Sequence, residues 1–177
     1  MTRALRRCLQ VLPLAAALLV PGLARAVEEA ELKAAIVFNI LLFVDWPSAT
    51  LPSGGSLTLC FGPNGGLNAA FKRLAGREVR GHPLELREIA AVPARLPCHA
   101  LYVDTVDRVR FAGLLKPLVA GGALVVSDDA EAPKDVTAIV LQRDGNKIAF
   151  DVRMQPVRQS QLQLSSKLLR LARTVHE

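Results

Sequence analysis

Cysteine, histidine and aspartate are the side chains here that could carry chemistry, and their spacing limits what that chemistry is. Cys60 and Cys98 are far apart, and His82, His99 and His176 show no ligand spacing, so a metal centre gains no support. Cys98-His99 places a thiol beside an imidazole, and a neighbouring cation can activate a thiolate. Adjacent residues on an extended strand point to opposite faces, however, and Cys98 has a better use with Cys60. Asp104, Asp128 and Asp129 follow short apolar runs that read as strands. Open α/β sheets bind ligands at such ends, where acidic groups suit a metal or a small polar molecule. Capping and turn formation is the commoner use of aspartate there. Gly62 to Asn68 (GPNGGLN) joins a strand to a helix, where backbone N–H groups can hold an anion. It lacks G-x-G-x-x-G and a following Lys-Ser/Thr pair, so a tight turn with Asn64 or Asn68 near a cap fits better. Ser165-Ser166 lies near a helix start without G-x-S-x-G or an assignable histidine, which points to capping. No nucleophile, base and oxyanion site assemble from these residues, and no cofactor is implied.

The elements that must position these residues are organised around Glu31 to Pro47 (ELKAAIVFNILLFVDWP). Between Ala34 and Val44 its only polar residue is Asn39. The run is short of the roughly 20 apolar residues that span a bilayer, so it is expected to be the central helix of a folded domain. Glu28, Glu29 and Glu31 suit a helix N-terminus. Pro47 disfavours helical geometry at Trp46, so the helix is expected to stop there. The Asn39 side or the Trp46 end is then the place where the helix meets a partner. Burying Asn39 without a hydrogen bond would be costly.

Residues 1–26 have the form of a secretory signal peptide. Arg3, Arg6 and Arg7 precede the apolar Leu9–Val20 run, and Ala24-Arg25-Ala26 is a small-x-small cleavage site. The segment holds four arginines and no acid. Without it, the 22 basic and 16 acidic side chains fall to 18 and 16, a net charge near +2. The sequence pI of 9.7 therefore makes no case for nucleic-acid binding. Cys8 is lost with the signal, and an even pair of cysteines in an exported chain suggests a Cys60–Cys98 disulfide.

Residues 27–177 read as one α/β domain with a mixed, mostly parallel sheet flanked by helices. Leu57–Phe61 alternates as a strand. Leu67, Ala70, Phe71 and Leu74 follow at helical spacing. A very short strand is expected around Val79, another over Leu84 and Leu86, and a loop between Pro93 and Pro97. Ala100–Val103 and Ala123–Val126 are short apolar runs of the kind buried in parallel sheets. Between them, Asp104 or Thr105 caps a helix carrying Val109, Leu114, Leu115 and Leu118, ended by Gly121-Gly122. Residues 136–142 and 147–154 form a C-terminal β-hairpin around Asp144-Gly145-Asn146. An amphipathic helix from about Gln159 then presents Leu164, Leu168, Leu171 and Val175.

Three segments in series carry a resemblance: KAAIVFNILLFVDWP from Lys33, the LTLCFG strand with Cys60 followed by Cys98-His99, and LQLSSKLLRLA from Leu162. Their order and spacing resemble the YfiR-like periplasmic proteins over nearly the whole exported chain. The resemblance implies a partner-binding regulator without catalytic residues or a required cofactor. In the YfiR system the periplasmic protein represses an inner-membrane diguanylate cyclase, YfiN, through its periplasmic sensory domain. An outer-membrane lipoprotein, YfiB, relieves that repression by sequestering YfiR. Cys60 and Cys98 match the family's disulfide positions. A second cysteine pair of the best-known member is missing, so redox control through it does not carry over. Other membrane sensors are alternative partners, a homodimer is compatible with the same role, and a periplasmic solute-binding module is the competing function.

Overall fold

The computed structural model describes residues 21–90 and 97–177. Most of the expected export signal, and Pro93 of the expected loop, lie outside them. Helix α1 (Pro21–Leu41) leads into a two-residue strand β1 (Val44–Asp45). The chain continues through β2 (Leu57–Phe61), α2 (Asn68–Lys72), β3 (Glu78–Val79) and β4 (His82–Glu88). After β5 (Ala100–Val103) come a 3-10 turn (Thr105–Asp107), α3 (Arg108–Phe111) and α4 (Leu115–Ala120). Then follow β6 (Leu124–Ser127), the hairpin β7 (Ile139–Asp144) and β8 (Lys147–Arg153), α5 (Met154–Gln159), β9 (Gln163–Leu164), α6 (Ser166–Leu171) and β10 (Thr174–His176).

Eight strands form one sheet in the order β10-β8-β7-β6-β5-β2-β4-β3. The pairs are parallel except β7–β8 and β3–β4. Helices flank the sheet, so the fold is α/β with a mixed, mostly parallel sheet. Both sheet faces are covered, which is why β2, β5 and β6 are buried at every residue. Side-chain alternation along β2 divides it between two cores. Leu57, Leu59 and Phe61 join α1, α2 and α6 on one face. Cys60 joins Phe111, Leu115 and Leu118 from α3 and α4 on the other. In the first core Phe71 lies between Phe61 and Tyr102, with ring centroids 5.4 and 5.2 Å away.

Three expectations need correction. Helix α1 ends at Leu41, not at Trp46. Leu42 and Phe43 donate to Asn39 and Ile40, three residues back, and Val44 then pairs with Leu164. Strand pairing with a distant segment overrides the local helical pattern. In the full chain the helix extends back to Pro21; with residues 1–26 removed as expected, Glu28, Glu29 and Glu31 stand at its start. The expected helix after β5 is broken in two. Pro117 cannot donate to the carbonyl four residues back, so a helix cannot run unbroken through it from Val109. Phe111 takes the buried place, and Val109 is 86 % exposed. The C-terminal helix is short. Gln161 adopts a left-handed conformation (φ 55°) that interrupts it, and the β-branched Thr174-Val175 join the sheet parallel to β8. Leu171, expected on the apolar stripe, is 66 % exposed.

Candidate functional site

The three segments that carry the sequence pattern, distant along the chain, meet at one junction. At the end of α1, β1 pairs antiparallel with β9, matching Val44 with Leu164 and Asp45 with Gln163. The Ser165 N–H donates to the Phe43 carbonyl at 3.0 Å, and the Ser165 side chain accepts from the Leu168 N–H to cap α6. The expected capping role for this serine is what the local geometry provides. Trp46, half-buried beside β1, donates from Nε1 to the His99 carbonyl at 3.0 Å. That carbonyl also accepts from Leu124 N–H, so Trp46 is tied to the middle of the sheet.

His99 holds this junction through its ring. Nδ1 accepts from the Thr58 N–H at 2.9 Å, and Nε2 lies 3.1 Å from the Thr50 carbonyl. A backbone N–H can only donate and a carbonyl can only accept, so the ring is neutral with its proton on Nε2. Burial holds the His99 pKa below the ordinary histidine value. The Thr50 carbonyl opposes this, the charge of His82 adds to it, and Glu85 opposes it. The Pro47–Ser56 loop is thereby fastened to β2 and β5. Gly122 lets this loop approach: its φ is 88°, and a Cβ there would meet Thr50 Oγ1 at 3.0 Å. Beside the junction is a cavity of about 170 Å³ lined by Trp46, Leu51, Leu57, Asp45, Arg80 and His82. Arg80 and Asp45 form an ion pair. His82 donates from Nδ1 to the Gly55 carbonyl at 2.8 Å.

Next to His99, Cys98 is paired with Cys60 of β2, with Cα atoms 5.8 Å apart. Both sulfurs are buried on the α3–α4 side of the sheet. The thiol is therefore engaged with Cys60, and the imidazole is engaged with backbone. No Cys/His couple faces a substrate here.

Asn39, by contrast, is exposed. Helix α1 buries Ala34, Val37, Phe38, Ile40 and Leu41 and turns Asn39 and Leu32 to solvent. The anticipated cost of burying an unpaired amide does not arise, and the helix is not covered on every side.

The aspartates lie at the C-terminal end of the parallel strands, as expected, but their charges are met from within the chain. Asp104 accepts from Val106 N–H at 3.1 Å, capping the 3-10 turn, and from Gly66 N–H at 3.0 Å. Asp128 accepts from Lys33 Nζ of α1 at 2.8 Å, and Lys33 also pairs with Glu29. Asp129 accepts from Arg108 at 2.8 Å and from Glu131 N–H. Asp107, which sequence reasoning passed over, is buried under the Gly62 turn. It accepts from Asn64 N–H and from Arg110 Nε. A Cβ on Gly62 would lie 1.9 Å from Asp107 Oδ2, so only glycine admits this carboxylate. The Gly62 turn, the candidate anion cradle, is filled by the protein's own carboxylate. Asn68 donates back to the Gly62 and Pro63 carbonyls and closes it. Nearby, burial and then the Asp128 charge push the Tyr102 hydroxyl pKa upward. Among the described residues no cluster of metal-binding side chains forms, and no helix is long and apolar enough to cross a membrane.

Two signals were present in the sequence: Glu29 and Lys33 stand four apart on one helix, beside the Asp128 ion pair, and Trp46, at the junction, is the only tryptophan. Neither identifies a partner about 50 or 100 residues away along an extended chain.

No curated protein matches the chain significantly. Among solved structures, the crystal structure of a conserved domain protein from Vibrio cholerae O1 biovar El Tor has a TM-score of 0.50 at 10 % identity. The match covers 82 % of this chain and 60 % of that one, so this chain spans well under the full length of that protein. This likeness concerns the fold alone. A family model described as YfiR/HmsC-like matches residues 30–173, from α1 to the end of α6 and just beyond. The chain belongs to the YfiR/HmsC-like family, whose members are regulators that act through contact with other proteins.

Proposed function

We propose that this protein is a periplasmic regulator that binds a membrane-bound signalling protein, a diguanylate cyclase, and represses it, lowering cyclic-di-GMP. Family membership across residues 30–173 is the observation that carries the proposal. The engagement of Asp104, Asp107 and Asp129 within the chain supports it over solute binding at those residues, where a ligand would have to displace internal partners; Asp128 is held by Lys33 through Oδ2 while its Oδ1 has no partner. Residues 1–26 serve as the export signal, and the domain that acts in the periplasm begins at residue 27. The partner is the periplasmic domain of the cyclase. An outer-membrane lipoprotein competing for the same protein would relieve repression. The Trp46 end of the junction and the exposed Asn39 side of α1 are the surfaces proposed for contact.

Deleting the gene should raise cyclic-di-GMP and promote attachment, and expression from a plasmid should reverse both. Unchanged cyclic-di-GMP in cells that normally make the protein would refute the proposal. The solute-binding alternative predicts instead a ligand-dependent rise in melting temperature that disappears in Asp128→Ala.

A further inference from the structure

His99 has both ring nitrogens committed to backbone, and only one of its protonation states satisfies both. Strands β2 and β5 begin their register at Leu59 and Ala100, one residue beyond Thr58 and His99. At that margin the His99 N–H donates to the Thr58 carbonyl, while the Thr58 N–H finds its acceptor in the imidazole. An imidazolium carries N–H groups on both nitrogens. Its second N–H would point at the Thr58 N–H, and a bond of 2.9 Å becomes a meeting of two donors. The ring must then leave its seat, and the Thr50 carbonyl loses the Nε2–H donor.

What the ring holds is the loop that walls the cavity. Residues 48–56 contain no titratable side chain, so the loop has no charged partner to replace the lost bond. Its turns are closed locally, by Thr50 and Leu51 N–H to the Pro47 carbonyl and by Gly55 N–H to Pro52. Leu51 from this loop and Trp46 just before it line the 170 Å³ cavity. We infer that His99 is an acid-operated latch: its protonation frees the Thr50 end of the Pro47–Ser56 loop, which His82 continues to hold at Gly55, and opens the cavity that Leu51 and Trp46 line beside β1. The inference does not depend on which partner the protein regulates.

The charged groups that bear on the ring come from β4. His82 disfavours a second positive charge, and Glu85 favours one. Burial outweighs Glu85, so the folded value lies below the ordinary value of about 6.5. The unfolded chain therefore binds the proton more readily. The contribution of the latch is complete above the ordinary value and disappears as pH falls through the lower folded value. Loop opening gains up to about tenfold per pH unit across that window. His82 provides an internal control. It already donates from Nδ1 to Gly55 and still does so when protonated.

Trp46 reports the event without a label, because the chain contains one tryptophan. Its emission in the purified protein should be followed from about pH 8 to about pH 5, where histidine changes charge. The expected result is a red shift in a single-proton step below the ordinary histidine value. His99→Asn keeps an acceptor for Thr58 but does not titrate, and should abolish the step. His82→Asn should keep it. Nitrogen NMR of the wild-type ring should show the Nε2–H tautomer at neutral pH. On doubly protonating, the Thr58 amide should exchange faster. A step that persists in His99→Asn overturns the inference. So does a ring that protonates with no change at Trp46 or Thr58, or one that carries its neutral proton on Nδ1. Should His99→Asn fail to fold, the wild-type NMR decides alone.

Discussion

Breaking the Cys60–Cys98 link gives a test with a magnitude that follows from the chain itself. The bond closes 38 residues. In the chain-entropy treatment a closure of that length restricts the unfolded chain by about 4 kcal/mol at room temperature. For a domain of this size about 1 kcal/mol moves the melting midpoint by about 2–4 °C, so reduction should lower it by about 8–16 °C. The folded state should lose little, because a free cysteine behaves as a small hydrophobe and both sites are lined by apolar side chains such as Leu101 and Phe111. The assay is a pair of thermal melts with and without reductant, repeated on the Cys60→Ala/Cys98→Ala variant. Peptide mapping without reductant must first find the two cysteines linked. Finding both as free thiols in exported protein would refute the pairing. A verified reduction that lowers the midpoint by less than about 3 °C would refute the entropic reasoning, and would mean that the unfolded chain keeps β2 and β5 close.

Other outcomes follow from packing and charge. Phe71→Ala empties the space between Phe61 and Tyr102 and should cost about 3–5 kcal/mol in a urea titration, with a loss below about 1 kcal/mol counting against the aromatic core. Gly62→Ala should cost about 1–3 kcal/mol as the added methyl drives Asp107 from its seat. Asp107→Ser should shrink that penalty; a penalty independent of residue 107 would show that the clash is not its cause. Arg173 holds Asp151 and Gln142, so Arg173→Ala should speed amide exchange in residues 174–176 while β2 and β5 remain protected.

Strands buried on both faces announce themselves, and most of the sheet was legible for that reason. Leu57–Phe61, Ala100–Val103 and Leu124–Val126 have no solvent side to interrupt the apolar run. The β7–β8 turn was legible because Gly145 supplies the positive φ that a tight hairpin needs. The end of α1 was not, because Val44 is claimed by Leu164, which no local window includes. Val109 and Phe111 are both apolar and both adjoin Arg110, so residue type does not choose between them, and Pro117, which decides how the helices divide, acts through a missing donor rather than through periodicity. The aspartates were located correctly at the sheet edge, but their significance depends on Lys33, Arg108 and the N–H of Gly66, which sequence spacing cannot bring to them. His99 gave the least warning. Its role rests on two backbone atoms, and backbone atoms leave no trace in side-chain pattern.

The β1–β9 ladder also has a consequence for the order of folding. It joins residue 44 to residue 164, so it forms only after almost the entire domain is available. A chain delivered from its N-terminus presents Phe38, Ile40, Leu41 and Val44 long before Leu164 and Leu168 arrive to cover them. Contacts so distant in sequence make for slow folding, with apolar surface open in the meantime. The segments that seal this face, β9 and α6, are thus among the last to be delivered, and the waiting helix keeps its apolar surface open until they arrive.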